Sequence, residues 1–554
     1  MGYRAAVAGL VLGALVALGA VPQSNGPGAS PGNQACAGCH ADIAKTYSKT
    51  IMARASGIAS DGLITGDFLH QQSGVRYRIF QRDNRTWMSY ERASEGGFRG
   101  ERELLYFIGS GEKGRSYLFS RQGFLFETPI NWYSQEGRWN MAPAYTEAQT
   151  IPMTLPSLTD CLNCHVSGLR PPVAGTENRF AGKPFLHAGI TCERCHGGGE
   201  GHLEKGAGRI VNPGKLPPEE RDSVCMECHF EGDVAVKQPG RHLYDFQPGE
   251  RLSDYIHYFL LKGNSPALSP NEGDKSRAQA LSQFEALSLS VCKLKSGDKM
   301  SCLSCHDPHN EPAVAERPAY FRAKCLACHG EKFAEKHHPD KADCTTCHMP
   351  ALPSKDVAHT QATDHRILKY PGGRQLGSLA AGLRLEAFPA SEASGMTTRD
   401  LALAWQTLAE RKVEGAASRA EEYLRKAVRE RPEDPVLLSA LGYVEQQHGR
   451  DDEARELYQR TLKIDPLANE AATNLGVLEA RAGHLEEAVR LWQGAFERMP
   501  YRSEVGMNLA TLFCASGQTA ESKRYVSQVL EFNPDLQTAR RLKAGLEESP
   551  AKCK

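Results

Sequence analysis

Along residues 64–145 apolar and polar positions alternate with a period of two. The runs VRYRIF, RTWMSY, ELLYFIG, RSYLFS and GFLFETP are separated by turn-forming stretches such as GSGEKG, Gly109 to Gly114. A period of two sends successive side chains to opposite faces of a strand, so this segment is predicted to be a small antiparallel β element. Trp87, Trp132 and Trp139 within it are expected to serve packing rather than to line a substrate box. Between residues 161 and 365 apolar runs are short and Gly and Pro are frequent, so loops and helices of modest length are predicted, one of them over SDYIHYFLLKG.

After residue 397 the pattern changes to a long repeat. Pro432, Pro466, Pro500 and Pro534 are spaced by 34 residues, as are Ala420, Ala454, Ala488 and Ser522 and the bulky Leu424, Tyr458, Trp492 and Val526. Leu441-Gly442, Leu475-Gly476 and Leu509-Ala510 mark a first helix in three units, whereas the earliest unit carries Thr407-Leu408 there. This pattern resembles the tetratricopeptide repeat, a helix-turn-helix whose small residues let paired helices approach closely. Four units starting near Leu401, Pro435, Asn469 and Ser503, with a capping helix near Leu536 to Glu547, give an array over 397–548 and a tail over 549–554. Such an array is expected to bind a peptide or helix of a partner protein in its concave groove, with a rigid spacer as the alternative. Residues 367–396, with few periodic apolar positions, read as a linker.

The first 20 residues hold one early Arg and an apolar run rich in Ala and Gly, the pattern of a secretory signal peptide, and 21–34 read as a flexible tether. An uncleaved anchor is the alternative, but the run is short for a span, and no later stretch is apolar for long enough to cross a bilayer. The expected location is therefore periplasmic or secreted, with no transmembrane span in the mature chain. Lys and Arg total 66 against 66 Asp and Glu, a balance that gives no indication of a nucleic-acid partner.

The chemistry lies in the cysteines. C-x-x-C occurs seven times, as Cys36 with Cys39, Cys161 with Cys164, Cys192 with Cys195, Cys225 with Cys228, Cys302 with Cys305, Cys325 with Cys328 and Cys344 with Cys347. Each pair is followed directly by a histidine: His40, His165, His196, His229, His306, His329 and His348. A zinc site has no need of that neighbour, since its ligands are chosen in space, and a redox dithiol would not recur seven times. Covalent attachment of haem c does need it: two thiols reach the two vinyl groups of one porphyrin and the adjacent imidazole ligates the iron. Seven covalently attached haems within a domain over 35–366 are expected, with the β element of 64–145 as an insertion. Of the three remaining cysteines, Cys514 is expected in the core of the last repeat, while Cys292 and Cys553 have no evident partner.

Each iron has a second axial position. Ten histidines outside the motifs precede the repeats, and five are favoured by spacing: His187 and His202, which bracket the third motif, His309 in CHDPH, and His359 and His365 in AHTQATDH. Met52 is a thioether candidate, although core packing is the better reading.

CAGCHADIAKTYSKTIMARA, CLNCHVSG, HAGITCERCHGGGEGH and CMECH together resemble the cytochrome c-552/4 domain family, and CLSCHDPH with CLACHG is similar to the doubled unit of multihaem cytochromes. With the repeats, the chain resembles multihaem cytochromes fused to tetratricopeptide repeats. The resemblance implies a periplasmic electron-transfer protein with closely packed haems, in which His187, His202 and His309 ligate haems other than those of their own motifs. No C-x-x-C-K occurs, which counts against the active site of the nitrite reductase relatives. The fold expected is multidomain: a loop-rich, mostly α multihaem cytochrome domain with a small antiparallel β insertion, then an all-α repeat solenoid. The leading function is an electron conduit. The alternatives are an oxidoreductase acting on a small nitrogen or sulfur compound at a five-coordinate haem, and a haem-stabilised scaffold or sensor.

Overall fold

The computed structural model describes residues 31–93, 97–151, 153–199, 201–206, 210–262, 282–337, 343–351, 363–369, 383–389 and 395–548. The expected signal peptide, the C-terminal tail with Cys553, and His359 lie outside the described residues.

The β element is not a small insertion. Ten strands run from Ser56 to Pro156: β1 Ser56–Ile58, β2 Gly66–His70, β3 Val75–Arg82, β4 Arg85–Arg92, β5 Arg99–Ile108, β6 Gly114–Arg121, β7 Phe124–Glu127, β8 Ile130–Tyr133, β9 Arg138–Met141 and β10 Leu155–Pro156. They form one antiparallel sheet in the order β10-β7-β6-β5-β4-β3-β2, with β1 on β5, β8 on β6 and β9 on β8. This overturns the expectation of a mostly α domain with a small β insertion. Alternation marks the long strands, with Val75, Tyr77, Ile79, Met88 and Tyr90 buried, but β1, β8, β9 and β10 are too short to show a period. They join because β5 and β6 each change partner along their length. β5 pairs with β4 up to Leu104 and with β1 from Tyr106, across an irregularity at Leu104/Tyr106. β6 pairs with β8 at Gly114 and Arg115 and with β7 beyond Leu118.

The sheet curls until β9 meets β2. Trp139 Nε1 donates to the Thr65 carbonyl at 3.2 Å, and its ring covers Gly66, where a Cβ would lie 2.1 Å from that nitrogen. Trp132 packs edge-on against Trp139, while Trp87 lies outside under the Arg82 guanidinium.

Two smaller sheets follow. β11 Val166–Leu169 pairs with β12 Phe185–Ala188, and β13 Val234–Lys237, β14 Ile256–Lys262 and β15 Arg384–Phe388 form a three-stranded sheet. The stretch SDYIHYFLLKG, expected as a helix, supplies β14. Its Tyr258 and Phe259 pair on both edges, with β13 and β15, so strand pairing overrides a local pattern that fits either state. Residues 384–388, inside the stretch expected as a linker, form β15.

Residues 398–548 form nine helices in antiparallel pairs with a final cap. The second residue of each Leu-Gly pair touches the bulky residue of its partner helix. A Cβ at Gly442 would lie 2.8 Å from the Tyr458 ring, and one at Gly476 would lie 2.4 Å from Trp492. In the first repeat Leu408 and Leu424 take the equivalent places, and in the fourth Ala510 and Val526; all four are buried. Small meets large and medium meets medium, so the Thr407-Leu408 departure is matched by a smaller partner. Cys514, buried in the fourth repeat, is disulfide-bonded.

The array is packed into the rest of the chain at two places. Phe124 and Phe126 of β7 stack edge-on against Tyr501 and Phe532 at centroid distances of 5.4–6.2 Å. Beside them the fully buried Asp535 accepts from Arg92 at 2.5 and 2.8 Å and from the Ile151 N–H at 3.0 Å. At the other end Val234, Val236, Phe259 and Leu261 share a core with Trp405, Leu408 and Leu424. Within that contact Asp400 is fully buried. It caps its own helix through Thr397 and faces His257 Nδ1 at 3.1 Å and Gln238 Nε2 at 3.1 Å.

Two outcomes are expected. Gly476→Ala overpacks the Trp492 contact and costs about 1–3 kcal/mol; thermal unfolding checks this, and adding Trp492→Leu, the first-repeat arrangement, restores much of the loss. Burial pushes the Asp400 carboxyl up, but hydrogen bonds from His257, Thr397 and Gln238 outweigh it and hold the group at about 2. A depressed carboxyl stabilises the fold above its unfolded value and loses that contribution as pH falls. Acid titration from about pH 4 to 2 should therefore remove about 2 kcal/mol, a loss that Asp400→Asn abolishes in that window.

Candidate functional site

The C-x-x-C-H motifs fall on or at the end of helical segments, among them the short Gly32–Ala37, Thr159–Asn163, Glu193–His196 and Thr345–His348 and the longer Pro218–His229 and Arg317–His329. In four of them the histidine N–H donates to the carbonyl of the first cysteine: His40 to Cys36, His196 to Cys192, His306 to Cys302 and His348 to Cys344, at 2.9–3.0 Å. One helical turn thus sets each imidazole on the same side as its leading thiol.

The tautomers are also set. The Nδ1–H of His165 donates to the Ala55 carbonyl at 3.3 Å, that of His196 to Val211 at 2.8 Å and that of His348 to Leu368 at 2.5 Å. Outside the motifs His365 does the same to Thr363 at 2.7 Å. A carbonyl only accepts, so the proton sits on Nδ1 and the lone pair on Nε2, the form that binds a metal.

Three motif histidines face imidazoles from elsewhere in the chain. His40 and His202 lie ring to ring at 6.4 Å with planes 12° apart, His196 and His309 at 5.8 Å and 12°, and His306 and His365 at 6.3 Å and 27°. This spacing is too wide for ring stacking contact. It matches two metal–imidazole bonds of about 2 Å laid end to end, which put ring centres about 6 Å apart. Burial, and then the imidazoles of His365 and His229, push His306 down to about 4. Burial likewise lowers His365.

His187 stands on β12 opposite Ser167, and its ring lies against Gly32, where a Cβ would come within 2.8 Å, four residues before Cys36. Three of the less favoured histidines contact other side chains of the scaffold. His70 pairs with Ser73, His242 stacks on Tyr244, and His257 faces Asp400.

Every motif cysteine is a free thiol, from Cys36 and Cys39 at one end of the chain to Cys344 and Cys347 at the other, so the C-x-x-C pairs are not closed as disulfides. The thiols gather between motifs rather than within them. Cys192 adjoins Cys36, and burial followed by that neighbour pushes it up to about 12. Cys164 is raised by its contact with Cys228 and by burial, and Cys225 in the same way by Cys302, whose own thiol is lowered in exchange. Cys325, raised to about 11 chiefly by burial, adjoins Cys344. Burial raises the Cys195 and Cys305 thiols, with smaller contributions from the nearby Cys228 and Cys328 respectively. The motifs therefore form a continuous series in the order first, third, fourth, fifth, sixth, seventh, with the second beside the fourth.

Cys39 and Cys347, the second cysteines of the two end motifs, differ from the thiols that join neighbouring motifs. Cys39 is exposed, and its N–H donates to the Cys36 carbonyl at 3.2 Å. Cys347 is half-buried, with the Thr346 hydroxyl 4.0 Å from its sulfur. The first and seventh motifs terminate the series and join it through Cys36 and Cys344. Among the described residues no three His, Cys, Asp or Glu side chains converge as a zinc tetrahedron requires.

These residues fit haem c. Each motif offers two thiols and an imidazole on one turn, and three offer an imidazole on the far side. Large apolar side chains that a porphyrin face would cover stand exposed near the motifs, among them Ile43, Leu203, Leu294 and Val314.

Polar positions inside the motifs escaped the sequence reading. Asn163, Arg194 and Glu227 occupy the second intervening place of the second, third and fourth motifs and bond to one another. The available signal was that the corresponding residues elsewhere are small: Gly38, Ser304, Ala327 and Thr346.

Parts of the chain are similar to known proteins. Residues 134–197 match the family model for cytochrome c554 and c-prime, and residues 414–475 match a tetratricopeptide repeat model. The multiheme cytochrome MtrA of Shewanella baltica is 28% identical over 190 residues, covering 32% of this chain and 54% of that protein. The dissimilatory sulfite reductase MccA of Wolinella succinogenes is 23% identical over 197 residues, covering 31% of this chain and 24% of that protein. The chain thus spans about half the length of the first relative and about a quarter of the second. A solved structure of MamA aligns with 26% of this chain and 81% of its own at 18% identity, with a TM-score of 0.23.

Replacing both Cys192 and Cys195 by Ala should lower the intact mass of the holoprotein by one haem beyond the change in side chains. An unchanged haem mass would show that this motif attaches nothing.

Proposed function

Taking as premise that the chain joins a multihaem cytochrome region to tetratricopeptide repeats, we propose that it is an exported heptahaem electron-transfer protein. Its haems would occupy the seven C-x-x-C-H motifs, with the repeats docking a redox partner protein. The observation that carries this reading is the set of opposed imidazole pairs at 5.8–6.4 Å, each made of a motif histidine and a histidine remote in sequence.

When bound, each haem supplies a one-electron Fe(III)/Fe(II) couple, and two imidazoles favour exchange of electrons with little rearrangement. The chain's own part is positional. His202 completes the first site, His309 the third and His365 the fifth. His187 stands near the first motif, and it and His359 remain assigned to the distal set from their spacing. Backbone carbonyls of Ala55, Val211, Thr363 and Leu368 hold the imidazoles as Nε2 ligands. The series of adjoining thiols would bring successive porphyrins to close range, so that an electron entering at one end has a neighbour at every step.

Two features support export. The disulfide at Cys514 belongs to an oxidising compartment, and the first 20 residues read as a secretory signal. Among the described residues no helix is long and apolar enough to cross a membrane.

The test is a count of iron spin states in the oxidised holoprotein. Magnetic resonance and optical spectra should show low-spin bis-imidazole haems, and intact mass should show seven covalent groups. His202→Ala should convert one haem to high spin, able to bind cyanide or imidazole, without changing the number attached. A variant that stays wholly low-spin would remove His202 from the distal set, and a mature chain without haem would end the reading altogether.

A further inference from the structure

The three polar intervening residues form a closed network at the centre of the series. Arg194 Nη2 donates to the Asn163 carbonyl at 3.1 Å, to Asn163 Oδ1 at 3.3 Å and to Glu227 Oε1. Asn163 Nδ2 completes the ring by donating to Glu227 Oε1 at 2.9 Å. The group is shut away from water: the side chains of Arg194 and Glu227 are 13% and 2% exposed, and Asn163 is 1% exposed.

A buried ion pair costs about as much in desolvation as it returns, and similar apolar residues in its place are often neutral or stabilising. What such a pair does give, when every partner is satisfied, is a single allowed geometry. Its place in the sequence shows which geometry that is. Each of the three residues directly precedes the second cysteine of its motif, Cys164, Cys195 or Cys228, and stands two before the motif histidine. Fixing Asn163, Arg194 and Glu227 against one another therefore fixes three attachment points. The Cys164 thiol, directed at the Glu227 carbonyl at 3.7 Å, belongs to the same cluster. In the first, fifth, sixth and seventh motifs Gly38, Ser304, Ala327 and Thr346 stand at this place, too short to build such a network.

We propose that Asn163, Arg194 and Glu227 are positioning residues that lock the second, third and fourth haem sites into a three-way junction of fixed separation and orientation. The inference rests on the haem-binding reading above and adds where the series branches and what holds the branch.

The experiment compares holoprotein carrying Glu227→Ala, Glu227→Gln and Asn163→Ala with the unchanged chain. Intact mass counts the haems, circular dichroism in the Soret band reads the mutual orientation of neighbouring porphyrins, and a reductive titration reads their potentials. Attachment needs only the cysteines and histidines, so the seven groups should persist. Glu227→Ala should alter the Soret couplet and shift at least one couple by about tenfold in its equilibrium constant, about 59 mV for one electron. Glu227→Gln, whose amide oxygen still accepts from Arg194 and Asn163, should restore the couplet while the shift in potential remains. Asn163→Ala should change the couplet in the same direction and by less, and it carries the test if Glu227→Ala does not mature. Gly476→Ala, which destabilises a contact within the repeats, should leave the couplet as it is. A fully loaded Glu227→Ala or Asn163→Ala protein with an unchanged couplet and unchanged potentials would overturn the junction. An unchanged chain without haem would instead overturn the reading beneath it.

Discussion

The constraint on which the rest of the structure depends is that three motif imidazoles, each set locally, are faced by an imidazole from far along the chain. The local half is a single helical turn, and it can form anywhere in the chain. The distant half cannot. His202 must return to His40, His309 to His196 and His365 to His306. Each return closes a long loop whose entropy local hydrogen bonds do not repay. The helices between the motifs are accordingly short, and the chain path is dictated by where rings must meet rather than by extended secondary structure.

Rings that meet at a fixed distance need a rigid surround, and the β sheet supplies one. β7 shows how. Leu125 faces Leu162 and Val166 beside the second motif, while Phe124 and Phe126, on the opposite face, meet Tyr501 and Phe532 of the repeats. One strand thus carries the attachment region on one side and the helical array on the other. The Arg92–Asp535 pair at its margin adds direction to a contact that apolar packing alone would leave free to slide.

How much of this could be read from the sequence follows from how local each signal is. The attachment motifs and the 34-residue repeat are contained in a few adjacent residues or in a strict period, and both were legible. The extent of the sheet was not, because strands such as Ser56–Ile58 and Arg138–Met141 exist only through their partners. For the same reason Ile256–Lys262 read as a helix: aromatic and aliphatic residues in a short run fit either state, and pairing with β13 and β15 decides. Among the histidines, spacing favoured His187, His202, His309, His359 and His365 but could not say which ring each would face. Nor could seven identical motifs show that Cys39 and Cys347 would stand at the ends of the series, since rank along the series is a property of the fold. The Asn163, Arg194 and Glu227 network lay within motifs already recognised, hidden because their intervening positions are formally unrestricted.

The placement of the repeats changes what docking would mean. A helical array tethered by a linker would bring a partner near the haem series at a variable distance. This array shares one core with β13 and β14 through Trp405 and Leu408, and another with the large sheet through Met499, Tyr501 and Phe532. Parts of its surface are therefore already occupied by the same chain, as at Asn469, whose amide donates to the Gly175 carbonyl at 2.7 Å. A protein bound to the remaining helical surface would be held at a fixed distance from the attachment sites. Because transfer between redox centres depends steeply on distance, a docking surface fixed to the scaffold would do for a partner what the Arg194–Glu227 pair is proposed to do for the haem sites.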